Sequence, residues 1–449
     1  MVMNEQRLRT LNKKCCRQDG SYVLYWMQES QRAEFNPALE YAARQANERE
    51  LGLVVGFCLW DAYPDANARH FAFMLEGLAE VRERLHERGI KFVVRRGPPE
   101  EVALGLAADA ALVVCDRGYL RHQRRWYTRM AQEAGCRVVQ VEGDVVVPVE
   151  TVSNKAEYAA RTIRKKINQQ VPHFLENMLA VKLESSSLPL EVTGDVDVRR
   201  IDSVLEALDI DHSVPRSRRF AGGNAAARKR LTSFLRSGLS GYADARNDPS
   251  DPQCSTLSPY LHFGQISPVE IARKVSAAKG GSDDDKEAFL EELIVRRELA
   301  VNFVFHTDEY DSFSCLPDWA KKTLAEHEDD ERPARYTRKQ LEHADTGDDY
   351  WNAAMQEMRK TGYMHNYMRM YWGKKILEWC NTPQYAYETT LYLNNKYFLD
   401  GRDANSYAAV AWVFGLHDRP WQEREVFGKL ITMTAGGLER TFDIDAYVR

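Results

Sequence analysis

The chain has 449 residues, of which 28% are charged and 44% hydrophobic, and its formal net charge is −5. This is the composition of an ordinary globular protein, which excludes a disordered or fibrous one, and the length favours two domains. No run of about 18 apolar residues occurs and the N-terminus has no apolar signal segment, so we expect neither a membrane span nor export. The eight cysteines form no CxxC pair or His-spaced cluster, which predicts free thiols in a reducing compartment, without disulfides or a metal site.

Five short, Val-rich apolar runs alternate with amphipathic helical patterns in the first third of the chain. They are YVLYWM (22–27), LGLVVGFCLW (51–60), IKFVVRRG (90–97), ALVVCDRG (111–118) and CRVVQVEG (136–143). Apolar strands separated by amphipathic helices predict a parallel sheet covered on both faces, a doubly wound, Rossmann-like α/β domain over residues 20–150. Because no GxGxxG follows the first strand and no P-loop occurs, the pattern assigns this domain neither a dinucleotide nor a triphosphate. Its strand ends can still hold another small ligand.

Residues 151–215 carry mixed, weak patterns and are predicted to be an interdomain connector. From residue 216 to 449 strand signals almost disappear, and long helical patterns dominate together with six of the nine tryptophans. This half is therefore predicted to be an all-α domain. Basic runs such as VPRSRRFAGGNAAARKR (214–230) are more often solvated faces than binding sites and decide little alone.

Three stretches of the helical half combine polar and apolar groups in ways that can carry chemistry. In CSTLSPYLHFGQISP (254–268), hydroxyls and free backbone N–H groups precede a helix start that can bind an anion, although a plain capping turn fits the stretch equally well by itself. FLEELIVRRELAVNF (289–303) fits a salt-bridged surface helix, but its apolar flanks indicate that some charges are buried with partners. In YLNNKYFLDGRDANSYAAVAW (392–412), the DGRD turn suits either the polar edge of a planar heterocycle or a helix cap.

A fourth stretch, YMHNYMRMYWGKKILEW (363–379), reads as a helix because it has no Pro and few β-branched residues. Asn366 and Arg369 stand among large apolar groups and are costly to bury without partners. Trp372 and Trp379 are seven residues apart, which places them two turns apart on one face, about 10 Å along the axis. Core packing is the usual explanation for such an aromatic pattern.

Together these stretches resemble one family, the DNA photolyases, and within the photolyase/cryptochrome superfamily the class II cyclobutane pyrimidine dimer (CPD) photolyases. The resemblance covers nearly the full chain, in the order and spacing of the family. It is carried by VLYWM, VVPVETVSNKAEYAARTIRKKI, STLSPYLHFGQISP, EELIVRREL, MHNYMRMYWGKKILEW, YLNNKYFLDGRD and FGKLITMTAGGLERTFDIDAY. It implies an enzyme, a deoxyribodipyrimidine photo-lyase, that splits pyrimidine dimers in DNA by electron transfer from photoexcited reduced flavin adenine dinucleotide (FAD).

The resemblance also implies which residues hold FAD, folded into a U, in the helical FAD-binding domain (216–449). The matching cofactor positions are Tyr242, Ser255, Thr256, Leu257, Ser258, Arg297, Asn366, Arg369, Asp400, Asp403 and Asn405. Tyr242 and residues 255–258 are expected to hold the diphosphate. Arg369 is expected to pair with Asp400, and Asp403 to face the ribityl chain or the ring edge.

The family's catalytic positions fall on four residues. Asn394 is expected at the reactive nitrogen of the flavin ring, and Glu292 is expected to hydrogen-bond the dimer bases. Met370 and Trp412 are expected to pack against the lesion. The resemblance thus places a cofactor face and a lesion face on neighbouring helices.

The tryptophans and the DNA contacts are assigned in the same way. The family's electron-transfer chain, from the flavin to the surface, matches Trp379, Trp372 and Trp351. The positions expected to contact DNA are Asn247, Arg419 and Trp421. Ile431 stands where the family usually has an arginine that helps to hold DNA, so Arg419 is expected to support binding here.

The expected partner is double-stranded DNA that contains pyrimidine dimers, bound by a monomer with no membrane contact. We expect it in the cytosol with the nucleoid, or in the nucleus of a eukaryotic host. The α/β domain is expected to be of the antenna type. The family's DFSPLR stretch reads CDRGYLR (115–121) here, beside the antenna pocket, so the choice between a deazaflavin, a folate and no antenna stays open.

Three other functions fit parts of the sequence. A cryptochrome-like flavin photoreceptor would share the fold and the tryptophans, but the lesion contacts Glu292, Met370 and Trp412 are present and no long tail follows Tyr447. A (6-4) repair enzyme is disfavoured because only His365 occurs where a catalytic His pair is expected. A basic nucleic-acid-binding protein with purely structural aromatics is the third, and it would bind no flavin.

Overall fold

A six-stranded sheet forms the first third of the chain in the computed structural model, which describes residues 4–449. The strands are β1 (Leu8–Thr10), β2 (Tyr22–Trp26), β3 (Gly52–Leu59), β4 (Lys91–Arg96), β5 (Ala110–Asp116) and β6 (Arg137–Val141). They are ordered β1-β6-β5-β2-β3-β4, and β2 to β6 pair in parallel. The predicted fold class, a doubly wound parallel sheet followed by helices, is confirmed. The edge strand β1 pairs antiparallel with β6 and escapes prediction because Leu8 is its only apolar residue.

Helices cover both faces of this sheet, which explains why the centres of β2 to β6 are apolar on both sides. They are α1 (Pro37–Asn47), α2 (Ala68–Glu87), α3 (Pro99–Ala107) and α4 (Arg121–Glu133). On one face α1 and the end of α2 pack around Val23 and Tyr25, and on the other α3 and α4 pack around Leu24 and Trp26. The carboxyl ends of β2, β3 and β5 meet at one edge of the sheet, where folds of this type bind ligands.

The chain after β6 is built from helices, as predicted for residues 216–449. They are α5 (Val149–Val152), α6 (Ala160–Phe174), α7 (Ile201–Ala207), α8 (Asn224–Ser233), α9 (Tyr242–Ala245), α10 (Ser258–His262), α11 (Pro268–Ser276), α12 (Asp283–Leu290), α13 (Arg297–His306), α14 (Asp318–Glu326), α15 (Arg338–His343), α16 (Asp349–Thr361), α17 (Asn366–Trp379), α18 (Pro383–Tyr397), α19 (Ala404–Val413), α20 (Ala435–Thr441) and α21 (Ile444–Val448). Two π-helical turns, Phe234–Gly238 and Glu291–Arg296, follow α8 and α12. None of the helices between residues 4 and 449 is long and apolar enough to span a membrane.

The segment 151–215, predicted as a connector, contains the regular helix α6. Its Ile163 and Ile167 are fully buried in the same apolar cluster as Leu293 and Ile294 of the helical half. The sequence pattern is weak because basic residues fill the exposed side of α6 and leave only a narrow apolar stripe. We propose the division 20–150, 151–215 and 216–449 for the chain, with α6 packed on the helical body.

One buried arginine joins the two halves. Arg69, in the first turn of α2, is 0% exposed and donates to the carbonyl oxygens of Met358 at 3.1 Å and Tyr397 at 2.8 Å, and also to that of Arg359. These carbonyls lie in the last turns of α16 and α18, where a helix leaves its C=O groups without partners. A cation at two helix C-termini is also favoured by both helix dipoles. The start of α2 is therefore fixed against the helical half.

Candidate functional site

An ion pair stands at the centre of the predicted cofactor site. Arg369, near the start of α17, donates from its two terminal nitrogens to the two carboxylate oxygens of Asp400, each at 3.0 Å. Its guanidinium lies 3.9 Å from the centre of the Phe398 ring, and its Nε donates to the carbonyl oxygen of Met364. The predicted pairing of Arg369 with Asp400 is present, in the bidentate geometry that makes such pairs strong. It ties α17 to the loop between α18 and α19.

The α18–α19 loop brings several predicted residues together. Asp403 is the N-cap of α19, because its Oδ1 accepts from the backbone N–H of Ser406 at 2.8 Å. Near the end of α18, Nδ2 of Asn394 donates to the Ser406 hydroxyl at 2.9 Å and to Oδ1 of Asn395 at 3.0 Å. Ser406 and Asn395 therefore connect the predicted residues, although no sequence signal singles out either of them.

Asp403 keeps its negative charge in this loop. Burial by itself raises the pKa of a carboxyl group. Here the neighbouring His262, whose Nδ1 is 3.8 Å from Oδ2, the hydrogen bond from the N–H of Ser406 and the charge of Arg297 outweigh burial and hold the pKa of Asp403 below its ordinary value. At neutral pH this side chain is an acceptor of hydrogen bonds and not a donor.

The loop predicted to hold a diphosphate has a strained backbone. Thr256 has φ = 53°, in the left-handed region that a β-branched residue rarely adopts. Its hydroxyl accepts from Nη1 of Arg230 at 2.8 Å, while Leu257 is buried and Ser255 and Ser258 are half-buried. Such strain persists only where the surroundings determine it, and it is concentrated at ligand sites.

Glu292 lies in the π-helical turn that precedes α13 and is tied to two other elements. Its Oε1 accepts from Nη1 of Arg246 at 2.7 Å. The carbonyl oxygen of Arg246 lies 3.0 Å from Nε2 of His365, the N-cap of α17. One turn before Arg246, the buried ring of Tyr242 packs 5.4 Å from that of Phe289. Arg246 thus connects the predicted lesion and cofactor residues, a role that no sequence pattern indicates.

Met370 and Trp412, both predicted to face the lesion, are half-buried, and a buried lysine lies beneath Trp412. Nζ of Lys374 is 5.4 Å from the ring centre of Trp412 and donates to the carbonyl oxygen of Val413 at the end of α19. Burial lowers the pKa of Lys374 to about 7, and the charge of Asp418 opposes this only in part. Sequence reasoning missed Lys374 because an isolated lysine in a helix normally indicates a solvated face.

Lys374→Met is expected to remove a pH dependence of stability. Because burial depresses the pKa of Lys374 only in the folded state, the folded chain loses this proton near pH 7 while the unfolded chain keeps it to about pH 10. The free energy of unfolding should therefore rise with pH, by roughly 2 kcal/mol from pH 7 to 9, in the unmodified protein alone. Urea unfolding at both pH values measures this, with Lys375→Met as the control. An equal rise in Lys374→Met would show that Lys374 is not titrating in this window.

The three predicted relay tryptophans are all buried, and Trp351 lies between the other two. Its Nε1 donates to the carbonyl oxygen of Trp372 at 3.0 Å, and its ring centre is 5.5 Å from that of Trp379. Trp372 lies on the side of the ion pair, because its ring is 6.2 Å from Phe398, which Arg369 covers. The predicted order, with Trp351 nearest the surface, is therefore wrong. Trp351 comes from α16, which packs across α17 and places this 0% exposed ring in the middle.

A tyrosine without a predicted role continues this row of rings. The ring centre of Tyr336 is 5.1 Å from that of Trp379, and its hydroxyl accepts from the backbone N–H of Gly347 at 2.8 Å. Tyr336 is half-exposed, whereas Trp379 is buried. The row Trp372, Trp351, Trp379 and Tyr336 leads from the ion pair towards the protein surface.

A cavity lies between the two halves, at the carboxyl ends of β2, β3 and β5. Its lining from the sheet half includes Gln28, Trp60, Arg117, Tyr119 and Trp126. From the helical half come three predicted flavin residues, Arg297, Asp403 and Asn405. The other predicted flavin residues do not line it, so the structure divides the predicted set between this cavity and the α17 cluster.

Arg402 is an unusual member of this cavity wall. It is 2% exposed, has φ = 66°, and leaves Nε and Nη1 without a hydrogen-bond partner among residues 4–449. Its one side-chain contact of this kind is Nη2 with Nε2 of His262 at 3.3 Å. A buried guanidinium with two free N–H directions normally has a partner, which favours an acceptor-rich ligand in the cavity.

Comparison with known proteins establishes the family. The DNA photolyase family model matches residues 23–184. A deoxyribodipyrimidine photo-lyase of Methanothermobacter thermautotrophicus is 48% identical over 450 residues, covering 100% of this chain and 98% of the relative. The chain belongs to the DNA photolyase family. A second deoxyribodipyrimidine photo-lyase, from Potorous tridactylus, is 38% identical over 454 residues, 99% of this chain and 84% of that protein.

Solved structures of DNA photolyases share the fold. A class III photolyase from Agrobacterium tumefaciens matches with a TM-score of 0.73 and 19% identity, over 96% of this chain and 86% of that one. An archaeal photolyase from Sulfolobus tokodaii, solved with two FAD molecules, matches with a TM-score of 0.70 and 16% identity, over 95% and 88%. As a member of this family of flavoproteins, the chain is an enzyme of light-driven DNA repair.

Four residues predicted to contact cofactor or DNA lie on the surface of this photolyase. Trp421 is 41% exposed, and the guanidinium of Arg419 lies 4.7 Å from its ring centre. Asn247 is exposed in the loop between α9 and α10. Asn366, expected to be buried with a partner, is exposed at the first residue of α17, where a helix leaves its N–H groups free for solvent or ligand.

Proposed function

We propose that this chain is a class II CPD photolyase that acts as a monomer on pyrimidine dimers in double-stranded DNA. Reduced FAD, when bound, supplies an electron to the dimer after absorbing light and recovers it once the ring has opened. A neutral dimer gives acid–base groups nothing to activate, so the repair depends on a redox cofactor. The observation that carries the proposal is the α17 cluster. In it Ser406 connects Asn394 to Asp400 of the Arg369–Asp400 pair, and Phe398 lies between Arg369 and Trp372.

The side chains of this cluster fit a flavin. Nε1 of Trp372 is buried and donates to no residue of the described chain. Both N–H bonds of Asn394 are used within the protein, so its Oδ1 is the atom left to accept from a ligand. Unsatisfied groups of this kind call for a bound partner. We propose that FAD is held by Tyr242, Ser255, Thr256, Leu257, Ser258, Arg297, Asn366, Arg369, Asp400, Asp403 and Asn405.

We propose that Glu292, Met370 and Trp412 receive the dimer after it has flipped out of the duplex. Flipping costs less at a damaged, poorly paired step. Arg246 fixes the half-exposed carboxylate of Glu292 through Oε1, which leaves Oε2 for the bases. Trp412 offers an aromatic face on which a base can stack, and Lys374 supports that face from below.

We propose that Trp372, Trp351 and Trp379, in this order from the flavin, carry electrons in from the surface, with Tyr336 at the outer end. The order follows from the ring contacts and from the position of Trp372 beside Phe398. Ring centres 5.5 Å apart for Trp351 and Trp379 and 5.1 Å apart for Trp379 and Tyr336, with the bond from Trp351 to the Trp372 carbonyl, support stepwise transfer between neighbours.

We propose that the side of this cavity lined by the sheet half holds an antenna chromophore of the deazaflavin or folate type, while Arg297, Asp403 and Asn405 on its helical side hold FAD. Trp60 and Trp126 form an aromatic wall there, with ring centres 5.6 Å apart. Arg402, which also lines this cavity, supplies free N–H groups. Apolar walls with a few converging polar groups are typical of small-molecule sites.

The absorption spectrum and a repair assay test the proposed function. The purified chain is expected to be yellow with bound flavin, and, once reduced, to remove CPDs from irradiated duplex DNA only in the light. Bound flavin without repair of any dimer would indicate a cryptochrome-like photoreceptor instead. A colourless protein that still binds DNA would overturn both flavin functions.

Binding to dimer-containing duplex is expected to weaken steeply with salt despite the net charge of −5, because basic groups contact phosphates locally. Arg419→Ala should reduce the slope of log K against log salt by about 1, the loss of one phosphate contact. Fluorescence anisotropy at a series of salt concentrations measures both. Arg200→Ala, at an exposed arginine on the segment before α7, is the control. A flat salt dependence would contradict the proposed DNA surface.

A further inference from the structure

The side-chain amide of Asn395 is held in one orientation from both ends. The backbone N–H of Arg402 donates to its Oδ1 at 3.1 Å, and an N–H can meet only the oxygen end of an amide. At the other end Nδ2 of Asn395 donates to Oδ2 of Asp65 at 3.0 Å, and a carboxylate can meet only the nitrogen end. Asn395 is 1% exposed, so water does not compete for these bonds.

The orientation of Asn395 dictates that of Asn394. Because Oδ1 of Asn395 is an acceptor, the group that Asn394 presents to it at 3.0 Å is the amide nitrogen. The second hydrogen of that nitrogen goes to the hydroxyl of Ser406 at 2.9 Å, which gives its own proton to the carbonyl oxygen of Asp400 at 3.1 Å. Both N–H bonds of Asn394 are thus used, and the atom left for a ligand is the oxygen, Oδ1.

Asp65, the last residue in this series of hydrogen bonds, belongs to the sheet half. Asp65 lies in the loop between β3 and α2, 330 positions away from Asn395 in sequence. Nearby contacts hold the same loop on α18, since Nδ2 of Asn67 donates to the carbonyl oxygen of Lys396 at 2.7 Å and Arg69 donates to that of Tyr397 at 2.8 Å. The Asp65 carboxylate is therefore held at Asn395 by the docking of the two halves.

We propose that Asp65 and Asn395 are positioning residues for the flavin, which hold Asn394 with its amide oxygen turned towards the reactive ring nitrogen. This rests on the proposed function, in which Asn394 meets that nitrogen. An oxygen acceptor there stabilises a nitrogen that carries a proton and repels one that presents a lone pair. The fully reduced ring carries this proton and the oxidised ring does not. The hydrogen bonds from Asp65 through Asn395 to Asn394 therefore favour the reduced cofactor on which repair depends.

Two substitutions at Asp65 separate hydrogen bonding from charge. Asp65→Ala removes the acceptor, whereas Asp65→Asn removes the charge and keeps a side-chain oxygen for Asn395. Reduced flavin in Asp65→Ala is expected to reoxidise in air in the dark about fivefold faster than in the unmodified protein, the scale of one lost hydrogen bond. Asp65→Asn should stay close to the unmodified rate. Because the side chain of Asp65 is exposed, flavin content should not change in either variant. Asp65→Ala alone should melt at a lower temperature, because it leaves Nδ2 of Asn395 without an acceptor and places Ala at φ = 57°.

A third variant tests whether Asp65 acts through Asn394. In an Asn394→Ala background, Asp65→Ala is expected to have no further effect on the reoxidation rate. A further acceleration in that background would overturn the proposal that Asp65 acts through Asn394. Equal reoxidation rates in Asp65→Ala and the unmodified protein would overturn it as well. Equal acceleration by Asp65→Ala and Asp65→Asn would assign the effect to charge and would also overturn it. Absence of flavin from the unmodified protein would instead refute the proposed function itself.

Discussion

Replacing Trp372 with Phe is expected to abolish light-driven reduction of the oxidised flavin and to leave repair by chemically pre-reduced enzyme intact. Phe keeps most of the ring volume but is much harder to oxidise than an indole, so the innermost step of the proposed relay fails. The electron that opens the dimer starts on the reduced cofactor and does not pass through Trp372. Bleaching of the oxidised flavin under blue light measures the first effect, and loss of CPDs measures the second.

The environment of Trp372 makes this a clean substitution. Its Nε1 donates to no described residue, so Phe removes no hydrogen bond within the protein, and the only bond lost is the one proposed from this atom to the flavin. A nearly isosteric apolar exchange usually costs less than about 1.5 kcal/mol. Trp351→Phe should abolish photoreduction as well, with about 1 kcal/mol lost from the bond to the Trp372 carbonyl. Trp319→Phe, in α14, is the control. Photoreduction of Trp372→Phe at the unmodified rate would refute the relay, and loss of flavin or unfolding would favour simple core packing.

Glu292→Gln is expected to lower the number of dimers repaired per absorbed photon by about tenfold, with flavin content unchanged. A neutral amide still forms a hydrogen bond with the bases, but it loses the charge beside the opening ring and the ion pair with Arg246. One hydrogen bond to a charged group has an energy of this order. The measurement is CPD loss under calibrated light with pre-reduced enzyme.

Glu291→Gln is the matched control for this substitution. The neighbouring carboxylate pairs with Arg164 at 2.7 Å and with Arg296 at 3.1 Å, on a different side of the same π-helical turn. It should therefore leave the repair yield unchanged. The role given to Glu292 would be wrong if both variants repaired as well as the unmodified protein, or if both lost activity equally.

Local patterns predict the fold well because each strand and helix carries its own signal. The strands β2 to β6 each have an apolar centre, and the amphipathic helices between them leave few alternatives to a parallel sheet. The helix α6 is less clear, because its buried side depends on a partner far away in sequence. The short edge strand β1 has almost no apolar side chains, so only its pairing with β6 reveals it.

The candidate site could be predicted only where the partners of a residue follow from the family pattern. Arg369 and Asp400 are an example, and their ion pair is present. The order of the tryptophans depends on how α16 crosses α17. Counting residue positions along a single helix gives no information about that crossing. Lys374 and Asn395 have no distinctive sequence context. Their roles follow entirely from the groups that surround them in the folded structure.

The contacts of Arg69 have a consequence for how this enzyme can evolve. Separating the halves would leave a bare guanidinium on one and the open carbonyl ends of α16 and α18 on the other, and both are expensive to bury or to leave unpaired. Although the two halves are separate in sequence, replacing one of them without the other would break these hydrogen bonds. A replacement sheet half would need its own arginine at the start of α2 to pair with these carbonyl groups.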